Sequence, residues 1–283
     1  MATPPNLFLG NFFALAAALV WGSADFGGGY ATRRRNPLQV LALSASAGLL
    51  FLVIIAVIKR EPFPGWVDLG WAALAGLSGA IGLTCLYQGL VIGVSAVVAP
   101  TSGVIGAALP VVFGLLTQGL PDLSHLIGFG LAFAGIWIVS AGSNHQTEEH
   151  RKGFLLACLS GIGVAGFMIC MSQVDPGKIY TPLVISRSMV VIGSVIILAF
   201  NRSRLPGLAG NWICVLIGVV DALGNIFFML AKSLTRLDSA VVLSSLNPAA
   251  TVLLTGIFLK EKLSAKQWFG VIVCMAAIIL IVR

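Results

Sequence analysis

Two carboxylates and a few amides stand where this sequence is otherwise apolar. Asp25 lies deep in a long apolar run, about 12 Å along a helix axis from Arg33 at 1.5 Å per residue. Gly27, Gly28 and Gly29 follow it at once. A carboxylate so placed can exchange a proton or bind an amine. The glycines support that reading, because glycine is a weak helix former and an irregular backbone can admit water. The competing reading pairs Asp25 with Arg33, Arg34 and Arg35 at the edge of the run. Asp221 lies in the middle of another apolar run, and Asn225 follows four residues later on the same helical face. These two can bind a polar solute, or hold each other and a neighbouring helix.

Tyr87, Gln88, Gln173 and Asn247 are weaker candidates inside apolar runs. Each can contact a solute, or serve as a hydrogen bond between helices worth about 1 kcal/mol. Arg187 stands about 10 Å from the start of its run, within reach of a side chain that buries its stem and keeps its head in water. Lys232 stands near the end of its run. Both are expected at an interface, although Lys232 shares its run with Asp221.

Other chemistry is missing. The five cysteines lie in apolar runs without a Cys-x-x-Cys pair, and the three histidines have no metal-ligand spacing. No metal and no cofactor are expected. There is no Walker motif, so this chain has no ATP site of its own. The paired acids, Ser/His pairs and His/Glu metal motifs of membrane-embedded enzymes are absent as well. A membrane enzyme or a channel without a recognisable motif is the alternative to a transporter, and the expectation is that the chain is not an enzyme.

The elements that must position these residues follow from composition. Hydrophobic residues make up 58% of the 283 and charged residues 10%, against about 25% charged in soluble domains. Mean hydropathy is +1.01. Such a surface must face lipid. The net charge of +7 sits in short clusters between apolar runs, as in membrane loops, and does not indicate a nucleic acid partner. A span needs about 20 apolar residues. The chain offers ten, at 9–32, 37–58, 66–91, 95–118, 123–142, 153–173, 180–200, 209–232, 237–259 and 264–282. The first apolar stretch is too long for the core of a cleavable leader and is read as the first span. A polar stretch at 143–152 divides five spans from five. The runs are too long and too uniformly apolar for barrel strands. Gly76, Gly79 and Gly82 form a small-residue ridge on the third span, and Gly161, Gly163 and Gly166 form another on the sixth. Both suit close helix packing.

The halves resemble each other. Ser95-Ala96-Val97-Val98 returns as Ser239-Ala240-Val241-Val242, offset by 144, with Leu86 and Leu90 matching Leu230 and Leu234 at the same offset. Gly128 and Gly270 match at 142. Tandem copies with an odd number of spans insert with opposite orientation. The expected fold is therefore an all-α integral membrane protein, with ten transmembrane helices as two inverted five-helix repeats, 9–142 and 153–282. Superposing these halves should bring Ser95 onto Ser239. Binding sites in such proteins lie near the midplane, so Asp221, Asn225 and Tyr87 are expected to line one central cleft with Asp25 at its edge.

Trp21-Gly22-Ser23 resembles the Trp-Gly motif of EamA-type transporters in the drug/metabolite transporter superfamily. Ser233-Leu234, Ser239-Ala240, Asn247-Pro248, Glu261-Lys262-Leu263 and Gly270 resemble the end of the EamA repeat. The first half departs from that pattern, with Val104 where the proline would align and Asp122 as the one acid of its loop. The resemblance implies a secondary transporter that exports or exchanges small metabolites, amino acids or drugs. It adds Trp21 to the candidate site residues. The expected setting is a multi-pass protein of the cell membrane, in bacteria the inner membrane, as monomer or homodimer. The resemblance also implies cytoplasmic termini. Ten Lys and Arg residues lie on the side of loops 1–2, 5–6, 7–8 and 9–10 and six on the other, which by the positive-inside rule places the termini outside. Orientation stays open.

Overall fold

A computed structural model describes residues 6–32, 35–92, 95–140, 148–200, 211–258 and 264–282. Arg33, Arg34, residues 143–147 and Glu261-Lys262-Leu263, used above, lie outside the described residues. Among the described residues there are eleven helices: α1 (Leu7–Thr32), α2 (Pro37–Lys59), α3 (Trp66–Ile92), α4 (Ser95–Gln118), α5 (Leu123–Ser140), α6 (Glu148–Ser172), α7 (Tyr180–Phe200), α8 (Trp212–Leu234), α9 (Leu237–Ser244), α10 (Asn247–Phe258) and α11 (Ala265–Val282). Polar residues set the ends. Asn36 accepts from Leu38 N at 2.9 Å ahead of Pro37, an N-cap followed by a proline in the first turn. Arg60 closes α2 in the left-handed region, and Gly119 takes φ +77° after α4, where glycine costs least.

The ninth span expected at 237–259 is broken in two. Pro248 carries no N–H, so the carbonyl of Ser244 loses its helical donor. The chain crosses the gap by tighter turns: Leu246 N donates to Leu243 O at 3.4 Å and Ala249 N to Leu246 O at 3.0 Å. Seven helices (α1 to α4 and α6 to α8) are long and apolar enough to cross a bilayer, while α5 and α11 carry shorter apolar stretches, Leu123–Ile138 and Trp268–Ile281. The outer surface is apolar, with Phe8, Leu116 and Phe200 at 75%, 81% and 84% exposed. Trp66 and Trp212, at the starts of α3 and α8, are also exposed, as expected of rings in the headgroup layer. The chain is a multi-pass membrane protein.

Inside, the helices meet through small residues, because lipid supplies no hydrophobic force between helices and close packing must substitute. The pattern of neighbours maps onto itself when the halves are exchanged. α3 runs along α6 as α1 runs along α8; α3 meets α7 as α8 meets α2; α4 meets α6 as α9 and α10 meet α1. Single contacts repeat too. A β-carbon on Gly76 would strike the carbonyl of Ser186, and one on Gly218 the carbonyl of Ser44, both residues shifted by 142. A β-carbon on Gly128 would lie 3.4 Å from Ala277 O, and one on Gly135 3.2 Å from Gly270 O, again a shift of 142. The approach of Gly106 to Val164 returns as that of Gly22 to Ala250, at 144 for α4 and α10 and 142 for α6 and α1. The ridge glycines Gly82 and Gly163 also meet each other.

These contacts give a test. Gly218→Ala is expected to destabilise the protein by about 1–3 kcal/mol through overpacking, because the obstacle is backbone. Gly130→Ala, with nothing within 4 Å of the added carbon, should be neutral. Equilibrium unfolding in mixed micelles measures both.

Candidate functional site

Asp25, on α1, is exposed. Asn247, the first residue of α10, donates from Nδ2 to Asp25 Oδ2 at 2.6 Å. One turn further, Thr251 Oγ1 donates to Gly22 O and to Asn247 O, both at 3.0 Å. Gly22 permits this docking: a β-carbon there would lie 2.7 Å from both Asn247 O and Ala250 Cβ.

Asp221 is half-buried on α8 and forms a close ion pair with Arg187 Nη2 from α7. Asn225 Nδ2 donates to Asp221 O at 2.8 Å and to Asp221 Oδ2 at 3.3 Å. The guanidinium is held from a third side by α2, where a β-carbon on Gly48 would lie 3.1 Å from Nε and Nη2. Here the sequence expectation for Arg187 is corrected. Its side chain is buried and turned to a counter-charge instead of reaching for the interface. The reason is energetic, since an acid inside a bundle needs a partner, and α2, which packs on both α7 and α8, brings the two charges within reach. A signal was available: a second in-span acid calls for an in-span base.

Tyr87 on α3 packs against α1 about one turn from Asp25. Its hydroxyl lies 3.3 Å from where a Gly28 β-carbon would stand, and it is within electrostatic range of Asp25, Asp221 and Arg187. Gln88, one residue on, is half-buried, with no hydrogen-bond partner among the described residues. Trp21 packs against the Phe228 ring at 5.8 Å and over Gly224, whose β-carbon would clash with the indole. Its place is the α1–α8 contact. Gln173 is exposed and donates to Ser172 Oγ at 2.9 Å, just past the end of α6. Lys232 donates to Met171 O and Val174 O at 2.7 Å each, so it satisfies carbonyls at the end of α6.

At the end of the bundle that holds Leu7, polar contacts join the halves. Glu61 accepts from Ile179 N and Thr181 Oγ1 at 2.7 Å. Asp68 Oδ1 accepts from Asp175 N at 3.1 Å. Arg236 donates to Gly119 O at 2.6 Å and pairs with the buried Asp238 at 2.8 Å. The sequence reading left this second pair unremarked, although Arg-x-Asp at a helix start is a visible sign of it. Asp25 lies about 27 Å down α1 from Leu7 at 1.5 Å per residue, toward the other end. Among the described residues no group of His, Cys, Asp and Glu could hold a metal ion.

The EamA-like transporter family model matches residues 8–141 and again 151–283. "Uncharacterized transporter YetK" of Bacillus subtilis (strain 168) is 24% identical over 285 residues, covering 93% of this chain and 84% of its own. A "Putative sugar uptake protein" of Streptococcus pyogenes serotype M1 is 24% identical over 269 residues, covering 91% of both chains. Among solved structures, a crystal structure of a protein superposes with TM-score 0.73 at 16% identity, covering 98% of this chain and 96% of the other.

Proposed function

We propose that this chain, which belongs to the EamA-like transporter family, moves a small, partly apolar solute outward across the cell membrane by alternating access, coupled to protons at Asp25. The observation that carries this reading is the placement of Asp25: exposed within a membrane-length helix, bonded to the amide of Asn247, and far along α1 from Leu7. In this reading Asp221 is compensated by Arg187 and orients solute with Asn225. Asp25 is left to alternate between a proton and a cationic group of the solute. Tyr87, Gln88, Asn247 and Trp21 line or support one central cleft.

The architecture we infer is ten membrane crossings, with α9 and α10 together forming one of them. They form two inverted five-helix units, 9–142 and 153–282, joined by 143–152. The exchange symmetry of the glycine contacts supports it, as does the double match of the family model. Alternation then needs the contacts at the Leu7 end to part while the other end closes. The bacterial relatives support placement in the bacterial inner membrane.

A second reading is uptake of a sugar. Streptococcal relatives are named for it, and two carboxylates, two amides and a phenol suit hydroxyl groups. Purified protein in liposomes, tested against labelled amines, amino acids and sugars with and without a pH gradient, separates the two. Amine or amino-acid movement driven by the gradient supports the first reading. Sugar movement indifferent to the gradient sinks it.

A further inference from the structure

The two halves of the bundle are alike in their contacts and unlike at one joint. The shifts that relate Gly106 and Val164 to Ala250 and Gly22 pair Asn247 with Gly103 and Asp25 with Phe167. In the first half, α4 runs unbroken from Ser95 to Gln118, although Pro100 and Pro110 both lie within it. In the second half the matching span breaks between Ser244 and Asn247. A proline within a span therefore does not by itself break it, and at the place of Pro248 the first half has Val104. The second half also has a polar link that the first lacks, from the broken helix to a carboxylate, Asn247 to Asp25 at 2.6 Å.

We propose that Asn247 is a positioning residue for transport: it ties the half-helix α10 to Asp25, so that whatever takes the carboxylate oxygen frees α10 to pivot about Ser245 and Leu246. This rests on the reading of Asp25 as the coupling carboxylate. The joint suits a pivot. One of its turns is loosely bonded, Leu246 N to Leu243 O at 3.4 Å, and beyond it the docking of α10 on α1 is completed by Thr251 on Gly22 O. A proton or a solute cation on Asp25 competes with the Asn247 amide for the same oxygen. The charged and titratable groups within electrostatic range of Asp25 are Asp221 of α8 and Tyr87 of α3, and Tyr87 is in turn within range of Cys214 of α8 and Arg187 of α7. α10 has no titratable residue and α2 has only Lys59, at its far end. Asp238 of α9 is held by Arg236 at the Leu7 end, and α11 carries only Lys266 and Cys274.

Hydrogen exchange of residues 243–251, read by mass spectrometry on the full-length protein in lipid nanodiscs and corrected for intrinsic rates, tests this. The probe is the proton, as a pH series. Wild type should show pH-dependent exchange in this segment and none in 99–107. Asp25→Asn and Asn247→Ala should each speed exchange there by roughly tenfold or more, as expected for losing a charge-assisted hydrogen bond. Both should abolish its pH dependence. Thr251→Val should also speed exchange, yet keep the pH dependence. Asn247→Ser, too short to reach Asp25, serves if the alanine variant does not fold. pH dependence that survives in Asn247→Ala overturns the proposal, as does wild-type exchange in Asp25→Asn. The transport assay separates the two readings. If Asp25→Asn abolishes pH-driven transport while Asn247→Ala retains pH-dependent exchange, the coupling role stands and only the role of Asn247 falls. If Asp25→Asn transports normally, the coupling role itself fails.

Discussion

Arg187→Met is expected to destabilise the protein by about 3–5 kcal/mol, because it leaves Asp221 charged and uncompensated inside the bundle. Asp221→Asn should cost a similar amount by stranding Arg187, whose side chain is 9% exposed against 27% for Asp221. The penalty comes from the orphaned charge more than from lost attraction. The double variant Arg187→Met/Asp221→Asn should therefore recover most of the loss, because both charges leave together. Unfolding of the four proteins in mixed micelles forms the cycle. A double variant as unstable as the sum of the singles would contradict the account, since the pair would then be holding α7 to α8 by geometry alone. In transport, Asp221→Asn should weaken apparent solute affinity while keeping the response to a pH gradient.

Asp25→Asn should abolish pH-driven transport in liposomes and leave thermal stability in detergent nearly unchanged. The side chain keeps its size, and an amide oxygen can still accept from Asn247 Nδ2. What it loses is the ability to carry a proton or to hold a cation. The expectation is sharp because Asp221 is already committed to Arg187 and Asn225 and cannot substitute. Transport at the wild-type rate with unchanged pH dependence would make both carboxylates structural, and solute exchange or facilitated diffusion would become the driving process.

Much of this arrangement was legible in the sequence. Asp25, Asp221 and Asn225 stand out because charge and amide are rare in apolar runs, and rarity needs no knowledge of the fold. The shift of 144 at Ser95 and Ser239 and of 142 at Gly128 and Gly270 recurs in the contacts, because small residues that let helices touch are constrained in both halves. Arg187 was misjudged because depth along one helix does not reveal which neighbour it faces; its partner lies 34 residues away on another helix. The break at Ser244 to Asn247 was hidden for a related reason. Asn247-Pro248 marks a place where a helix can break, but Pro100 and Pro110 sit in an intact helix, so the outcome depends on what the surrounding helices offer. Trp21 drew notice through a motif, and its indole packs against Gly224 and Phe228, a contact that residue type alone does not indicate.

The most direct test of the coupling role of Asp25 is proton movement evoked by solute. Liposomes carrying the wild-type protein and an internal pH-sensitive dye, with no gradient imposed, receive a solute found to be transported. Solute entry should drive proton flux in the opposite direction, and Asp25→Asn should show neither. Solute entry without proton flux in the wild type would contradict the account.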